Sequence, residues 1–246
     1  MRENNISLSS RIFYYMMVFI VVESIMIAGV TLYQFNNQNS EYHEGRLERK
    51  ENNLLTDLKY EIDKNTIAVA IVGRITAIKD HHYFLDVIES VFKSSNKKIK
   101  IFIVGDGDLK SEIEERLMPM QNMGIDISLT SWIYDIAEFN AGMDIMCLTS
   151  KNEGTPVSLI EAQASNLPVV STDVGGVADI VKQNETGFII PRTKKSEFVT
   201  KLKLLIENDE LREKMKLKGW QNVYKKYSYQ RLAKDMENYY RELLKN

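Results

Sequence analysis

Thr66-Ile-Ala-Val-Ala-Ile-Val72 carries no polar side chain after its first residue. A strand with one wet face alternates apolar and polar residues. This run does not, so both of its faces must be covered, as in a strand inside a parallel sheet. Shorter apolar runs follow at Lys100-Ile-Phe-Ile-Val104, Asp126 to Thr130, Asp144-Ile-Met-Cys-Leu-Thr149, Pro168-Val-Val-Ser-Thr172 and Gly187-Phe-Ile-Ile190. Segments of helical spacing separate them, so strands and helices alternate at roughly 15–30-residue intervals. The pattern predicts an α/β fold, a single doubly wound Rossmann-like domain. Ligands of such sheets bind beyond the carboxyl ends of the strands. That rule gathers Arg74, Gly105, Trp132, Glu153 and Gly175 at one edge.

The richest of these edges is EGTPVSLIEAQASNLPVVSTDVGG, Glu153 to Gly176. Thr155 is suited to cap a helix and Pro156 to be its first residue, where a missing N–H costs nothing. The N–H groups of Val157 and Ser158 then face the helix entrance, where the dipole favours an anion. Glu161, inside the helix, is suited to accept both hydroxyls of a ribose, and Glu153, in the loop, to reach another part of the same ligand. Two glutamates at this spacing also suit a solvated surface helix, and that alternative stands on spacing alone. After the first strand, Gly73-Arg74-Ile-Thr-Ala-Ile-Lys79 sets a forked and a point cation in a strand-to-helix loop, which suits phosphate. Two exposed cations are the plainer account. Gly105-Asp106-Gly107 lacks a full dinucleotide fingerprint and reads first as a tight turn. Trp132 is open to two readings, a platform for a base or a partly buried core residue. Gly175-Gly176 opens a short helix whose N–H groups are also candidates for phosphate. The tail from Lys194 is helical in spacing.

Taken together, NEGTPVSLIEAQASNLPVVSTDVGG resembles the nucleotide-sugar-binding segment of retaining GT-B glycosyltransferases of family four. The resemblance covers about Ile67 to Asn246. It implies that Glu153 lies near the donor sugar, that Glu161 binds ribose, and that Arg74 and Lys79, following Gly73, hold the diphosphate. It also implies that the nucleobase packs near Trp132, and that Thr155, Pro156, Val157 and Ser158 line the donor. Catalytic work falls on Glu153, Arg74 and Lys79. Asp80 stands where that family usually has glycine, and Asp108 where it has proline. The donor is a nucleotide-diphospho-sugar, no cofactor or metal is implied, and the acceptor is a glycan or a lipid-linked sugar. The segment Tyr227 to Leu244 resembles the family's closing helix.

The first 66 residues differ in kind. Ile12 to Tyr33 spans 22 residues with one charge, Glu23, long enough for a hydrocarbon core of about 30 Å. Eleven of the 22 are Leu, Ile, Phe or Val, contributing about −3 to −7 kcal/mol of insertion free energy against about +3 for the glutamate. No small-residue cleavage site follows, so an uncleaved anchor is expected over residues 1–35. Residues 36–65 read as a charged helical linker with a stripe of Leu47, Leu54, Leu55, Leu58 and Ile62. Residues 66–246 form the nucleotide-sugar-binding domain. The stretch from Ser7 to Glu51 resembles the membrane segment of bacterial sensor kinases, though no kinase domain follows it. A GT-B enzyme uses two Rossmann-like domains, and residues 1–66 are too few for the first. The expected partners are therefore a nucleotide sugar, an acceptor, the membrane, and a possible separate subunit carrying the acceptor domain. A non-catalytic donor-binding subunit and a sensor fragment fused to such a domain are the alternatives. Arg2 and Arg11 before the span give a weak bias toward an inside N-terminus, whereas a cytosolic donor pool requires the domain on the cytoplasmic side, which is the expected location.

The net charge of −2 gives no electrostatic case for nucleic acid. A single cysteine, Cys147, excludes an intrachain disulfide and a thiolate metal cluster. Three histidines, with His81 and His82 adjacent, form no ligand set and read as surface residues at a helix entrance.

Overall fold

In a computed structural model, which describes residues 59–244, the apolar run Thr66–Val72 is the central strand β1. The described residues belong to one unit, Asn52–Asn246. The chain continues through α1 (His81–Ser94), β2 (Lys98–Val104), α2 (Lys110–Asn122), β3 (Asp126–Thr130), α3 (Ile136–Ala141) and β4 (Ile145–Leu148). It then forms α4 (Val157–Ala164), β5 (Val169–Thr172), α5 (Val177–Ile180), β6 (Gly187–Ile190), α6 (Lys195–Glu207), α7 (Asp209–Tyr227) and α8 (Tyr229–Leu243). The six strands form one sheet in the order β3-β2-β1-β4-β5-β6, with every ladder parallel.

Alternation along β1 divides the core. Val69 and Ile71 point to one face and pack with Phe84, Leu85 and Ile88 of α1, Ile113 of α2, and Phe198 and Leu202 of α6. Ala68 and Ala70 point to the other, with Phe139 of α3, Leu159 and Ala162 of α4, Val177 and Ile180 of α5, and Val223 of α7. The small alanines leave room for a mutual edge-to-face group of Tyr60, Phe102 and Phe139, with ring centroids 5.4–5.8 Å apart. Both faces of β1 are therefore dry, as its lack of alternation requires.

Ile62, the last member of the expected helical stripe, lies outside any helix and packs into this second cluster. The rest of that stripe, the membrane span and the segment resembling sensor kinases lie outside the described residues. Among the described residues no helix is long and apolar enough to cross a membrane.

The order of strands reverses between β1 and β4. Chain direction takes β1 outward to β2 and β3, and β4 outward to β5 and β6. The loops leaving the carboxyl ends of β1 and β4 therefore run to opposite sides and open a crevice between them. Those loops are Gly73–Asp80 and Thr149–Pro156.

Candidate functional site

Lys79, at the end of the first loop, places its Nζ 2.5 Å from Oε1 of Glu153 in the second. The Glu153 side chain is 9% exposed and that of Lys79 25%, so both charges are held largely out of water. Ser150 Oγ also donates to the same carboxylate oxygen, at 2.5 Å. The stem of Lys79 lies over Gly73, and a Cβ there would stand 3.5 Å from Lys79 Cε. Arg74 is exposed and makes no ion pair among the described residues.

Glycines bring these loops together. Gly105 has φ +147°, and a Cβ on it would lie 2.0 Å from the carbonyl oxygen of Gly73. Gly73 N donates to Val104 O, and Ile75 N to Asp106 O. The Gly105-Asp106-Gly107 turn is thus the bed on which the Arg74 loop lies, in keeping with its reading as a tight turn. On the other side, Gly175 has φ +49°, and a Cβ there would lie 1.8 Å from Glu153 O. The N–H of Gly176 donates to that same oxygen at 3.1 Å. That amide is committed to the protein, which corrects its assignment to a phosphate. The double glycine instead permits backbone contact that sets Glu153.

The helix start differs from expectation. Pro156 is the N-cap residue of α4, with ψ 94°, and no side chain caps the helix. Thr155 is exposed and does not cap, because the proline's extended ψ moves the first helical residue to Val157. The first helical hydrogen bonds are donated by Leu159 and Ile160, to Pro156 O. The N–H groups of Val157 and Ser158 have no acceptor among the described residues, as an uncapped first turn requires.

Glu161 is the fifth residue of α4. It is half-buried, its carboxylate has no hydrogen bond or ion pair among the described residues, and burial raises its pKa. A carboxylate losing water without gaining a donor is costly unless something else supplies one. Trp132 follows β3 and is 52% exposed, so it is a surface ring rather than a core one.

Sequence reasoning missed several neighbours. His81, expected at the surface, is 2% exposed and neither ring nitrogen has a partner. His82 is the outer of the pair, its Nε2 2.8 Å from Glu112. Asp80 adopts φ 52° and ψ 56°, the left-handed conformation, and accepts from Tyr83 N at 3.4 Å as the N-cap of α1. That conformation explains why glycine suits this position in the family it resembles. The cap was readable from an aspartate just before a helix. Its partner Arg192, 112 positions away, left no local signal.

A profile of the family described as "Glycosyl transferases group 1" matches residues 56–221. The match begins after the stretch resembling sensor kinases and lends that resemblance no support. The capsular polysaccharide biosynthesis glycosyltransferase CapM of Staphylococcus aureus is 27% identical over 195 residues, 79% of this chain and 51% of its own length. A variant of S. aureus TarM, crystallised with fondaparinux, alpha-GlcNAc-glycerol and UDP, superposes with a TM-score of 0.64 at 25% identity, covering 72% of this chain and 36% of that one. The fold also matches the C-terminal domain of the group 1 glycosyl transferase LpcC from Francisella tularensis, with a TM-score of 0.60 at 23% identity, covering 66% of this chain and 86% of that one. The chain spans about half or less of the length of the curated relatives it matches. The sheet order, the paired loops at its reversal and the profile over more than half of the sequence agree: this chain belongs to the group 1 glycosyl transferases.

Proposed function

We propose that this domain binds a nucleotide-diphospho-sugar and takes part in transfer of its sugar, with retention, to a glycan or lipid-linked acceptor. The observation that carries the reading is the meeting of Lys79 with Glu153 across the crevice between β1 and β4, 2.5 Å apart. A cation and a carboxylate are held there at the place where a doubly wound sheet takes its ligand. In this reading Lys79 exchanges Glu153 for the donor diphosphate, and Arg74 joins it from the loop surface. Their charge neutralises the leaving diphosphate as the glycosidic bond breaks. Glu153, once released, orients the donor sugar. Glu161 accepts the ribose hydroxyls, which gives its half-buried carboxylate the donors it lacks. Val157 and Ser158 offer their free N–H groups to a phosphate, Thr155 and Pro156 border them, Gly73 leaves space for the Lys79 stem, and Trp132 offers a ring face to the base.

The acceptor is met by a second Rossmann-like unit, in the same polypeptide or in a partner subunit. Residues 1–35 serve as a single-pass anchor with the domain on the cytoplasmic side. Support for the anchor comes from the composition of Ile12 to Tyr33 alone.

Calorimetric titration of the full chain with UDP and with GDP tests the donor site. One of them is expected to bind, and Glu161→Ala to weaken it by about tenfold or more, the loss of one charge-assisted hydrogen-bonded pair. Absence of heat with both nucleotides, or equal affinity in the variant, sinks the reading.

A further inference from the structure

Lys79 is set by a network that reaches beyond the crevice. Its main chain turns into α1 through Asp80, a non-glycine residue at φ 52°. Such a conformation persists only where the surroundings enforce it. The surroundings here are specific. The Asp80 carboxylate, 12% exposed, accepts from Arg192 Nη1 at 2.7 Å, and Lys151 Nζ stands 3.9 Å away. The same Arg192 nitrogen also donates to Thr149 O at 3.3 Å, and its guanidinium lies 5.4 Å over the ring of Tyr83. Thr149 Oγ1 is 3.1 Å from Lys79 O and 3.0 Å from Asp80 O, and its hydroxyl donates to that pair of carbonyls. Lys151 N donates to Ile78 O at 2.7 Å. Two segments thus converge on the peptide units that carry Lys79 and Asp80: the loop after β4 and the loop after β6.

We infer that Asp80 and Arg192 are positioning residues that hold Lys79 at the crevice. Arg192 neutralises the buried carboxylate, the carboxylate holds the left-handed turn, and the turn sets the Cα of Lys79 opposite Glu153. The inference deepens the donor-site reading and rests on it for the consequence to binding, though not for the consequence to the loop. Glycine adopts the left-handed conformation with no carboxylate to neutralise. It follows that Arg192 matters chiefly while residue 80 is an aspartate, its contacts with Thr149 O and Tyr83 remaining in either case, and that it affects the ligand chiefly while residue 79 is a lysine.

The experiment uses the full chain and four variants: Arg192→Met, Asp80→Gly with Arg192→Met, Lys79→Ala, and Lys79→Ala with Arg192→Met. Amide hydrogen exchange at residues 79–83 is measured without ligand, and UDP affinity by calorimetry, each beside a thermal melt. Arg192→Met is expected to raise exchange at residues 79–83 by about tenfold and to weaken UDP by about tenfold. Adding Asp80→Gly is expected to recover most of both. In the Lys79→Ala background, Arg192→Met is expected to change UDP affinity by less than about twofold, whereas a merely destabilising change would add in full. The inference is overturned if Arg192→Met leaves exchange at residues 79–83 unchanged, or if its effect on UDP persists undiminished without Lys79. Should wild-type protein bind no UDP while the exchange pattern follows expectation, the donor reading fails and the positioning of Lys79 stands.

Discussion

Acid should weaken this fold through His81. The side chain is 2% exposed, and neither ring nitrogen meets a hydrogen-bond partner. Its pKa falls from the ordinary 6.5 to about 4, chiefly because burial disfavours the imidazolium, with His82 and Lys79 adding repulsion that Asp80 partly offsets. Between those two values the unfolded chain binds a proton that the folded one refuses, so stability falls as pH falls. The loss is absent above pH 6.5 and complete below about pH 4. A tenfold change in proton affinity is about 1.4 kcal/mol, so the fall from 6.5 to about 4 corresponds to roughly 3 kcal/mol. Leucine has a similar volume and no nitrogen to leave unpaired. His81→Leu is therefore expected to lie within about 1.5 kcal/mol of wild type near neutral pH. Urea unfolding of the full chain, followed by tryptophan fluorescence in steps across the window, gives the two stability curves. Wild type should lose roughly 3 kcal/mol more than His81→Leu across it. Two curves that descend in parallel would refute the reasoning, because the titration would then belong to other groups.

Two further perturbations follow from the packing. Gly175→Ala places a Cβ 1.8 Å from Glu153 O at a φ of +49°. It is expected to cost at least about 1–3 kcal/mol in a thermal or urea melt and to weaken UDP by moving Glu153. Cys147 is 1% exposed and burial pushes its thiol up. Alkylation by iodoacetamide should therefore proceed no faster than unfolding and accelerate in parallel with it as urea is added.

The sheet was legible because its cause is local. Seven residues without alternation already require two dry faces, and no distant partner is needed to read that from Thr66–Val72. The same holds for Glu153 and Glu161, whose spacing around a helix start is a property of one short segment. What escaped notice depended on residues far apart. Asp80 could be read as a cap, but its neutralisation by Arg192 joins positions 112 apart. The burial of His81 is decided by what covers the entrance of α1, which an adjacent pair of histidines does not reveal. Thr155-Pro156 is a sound capping pair by composition, yet the extended ψ of 94° at the proline shifts the helix by one residue. The N–H groups at Gly175-Gly176 suit a phosphate by sequence, but the acceptor of the Gly176 amide, Glu153 O, lies 23 positions back and leaves no local signal.

The reversal of strand order has a consequence for how the chain acquires its site. Strands β1, β2 and β3 are contiguous in sequence, so that half of the sheet closes through short crossovers. Strand β4 must then return to the flank of β1, where Asp144 accepts from Ala68 N across 76 positions. The Lys79–Glu153 contact spans 74. Closing loops of that length is entropically slow. The crevice between β1 and β4 therefore forms after the first half of the sheet: during synthesis the segment through Thr130 can condense first, and Lys79 meets Glu153 only after β4 has docked.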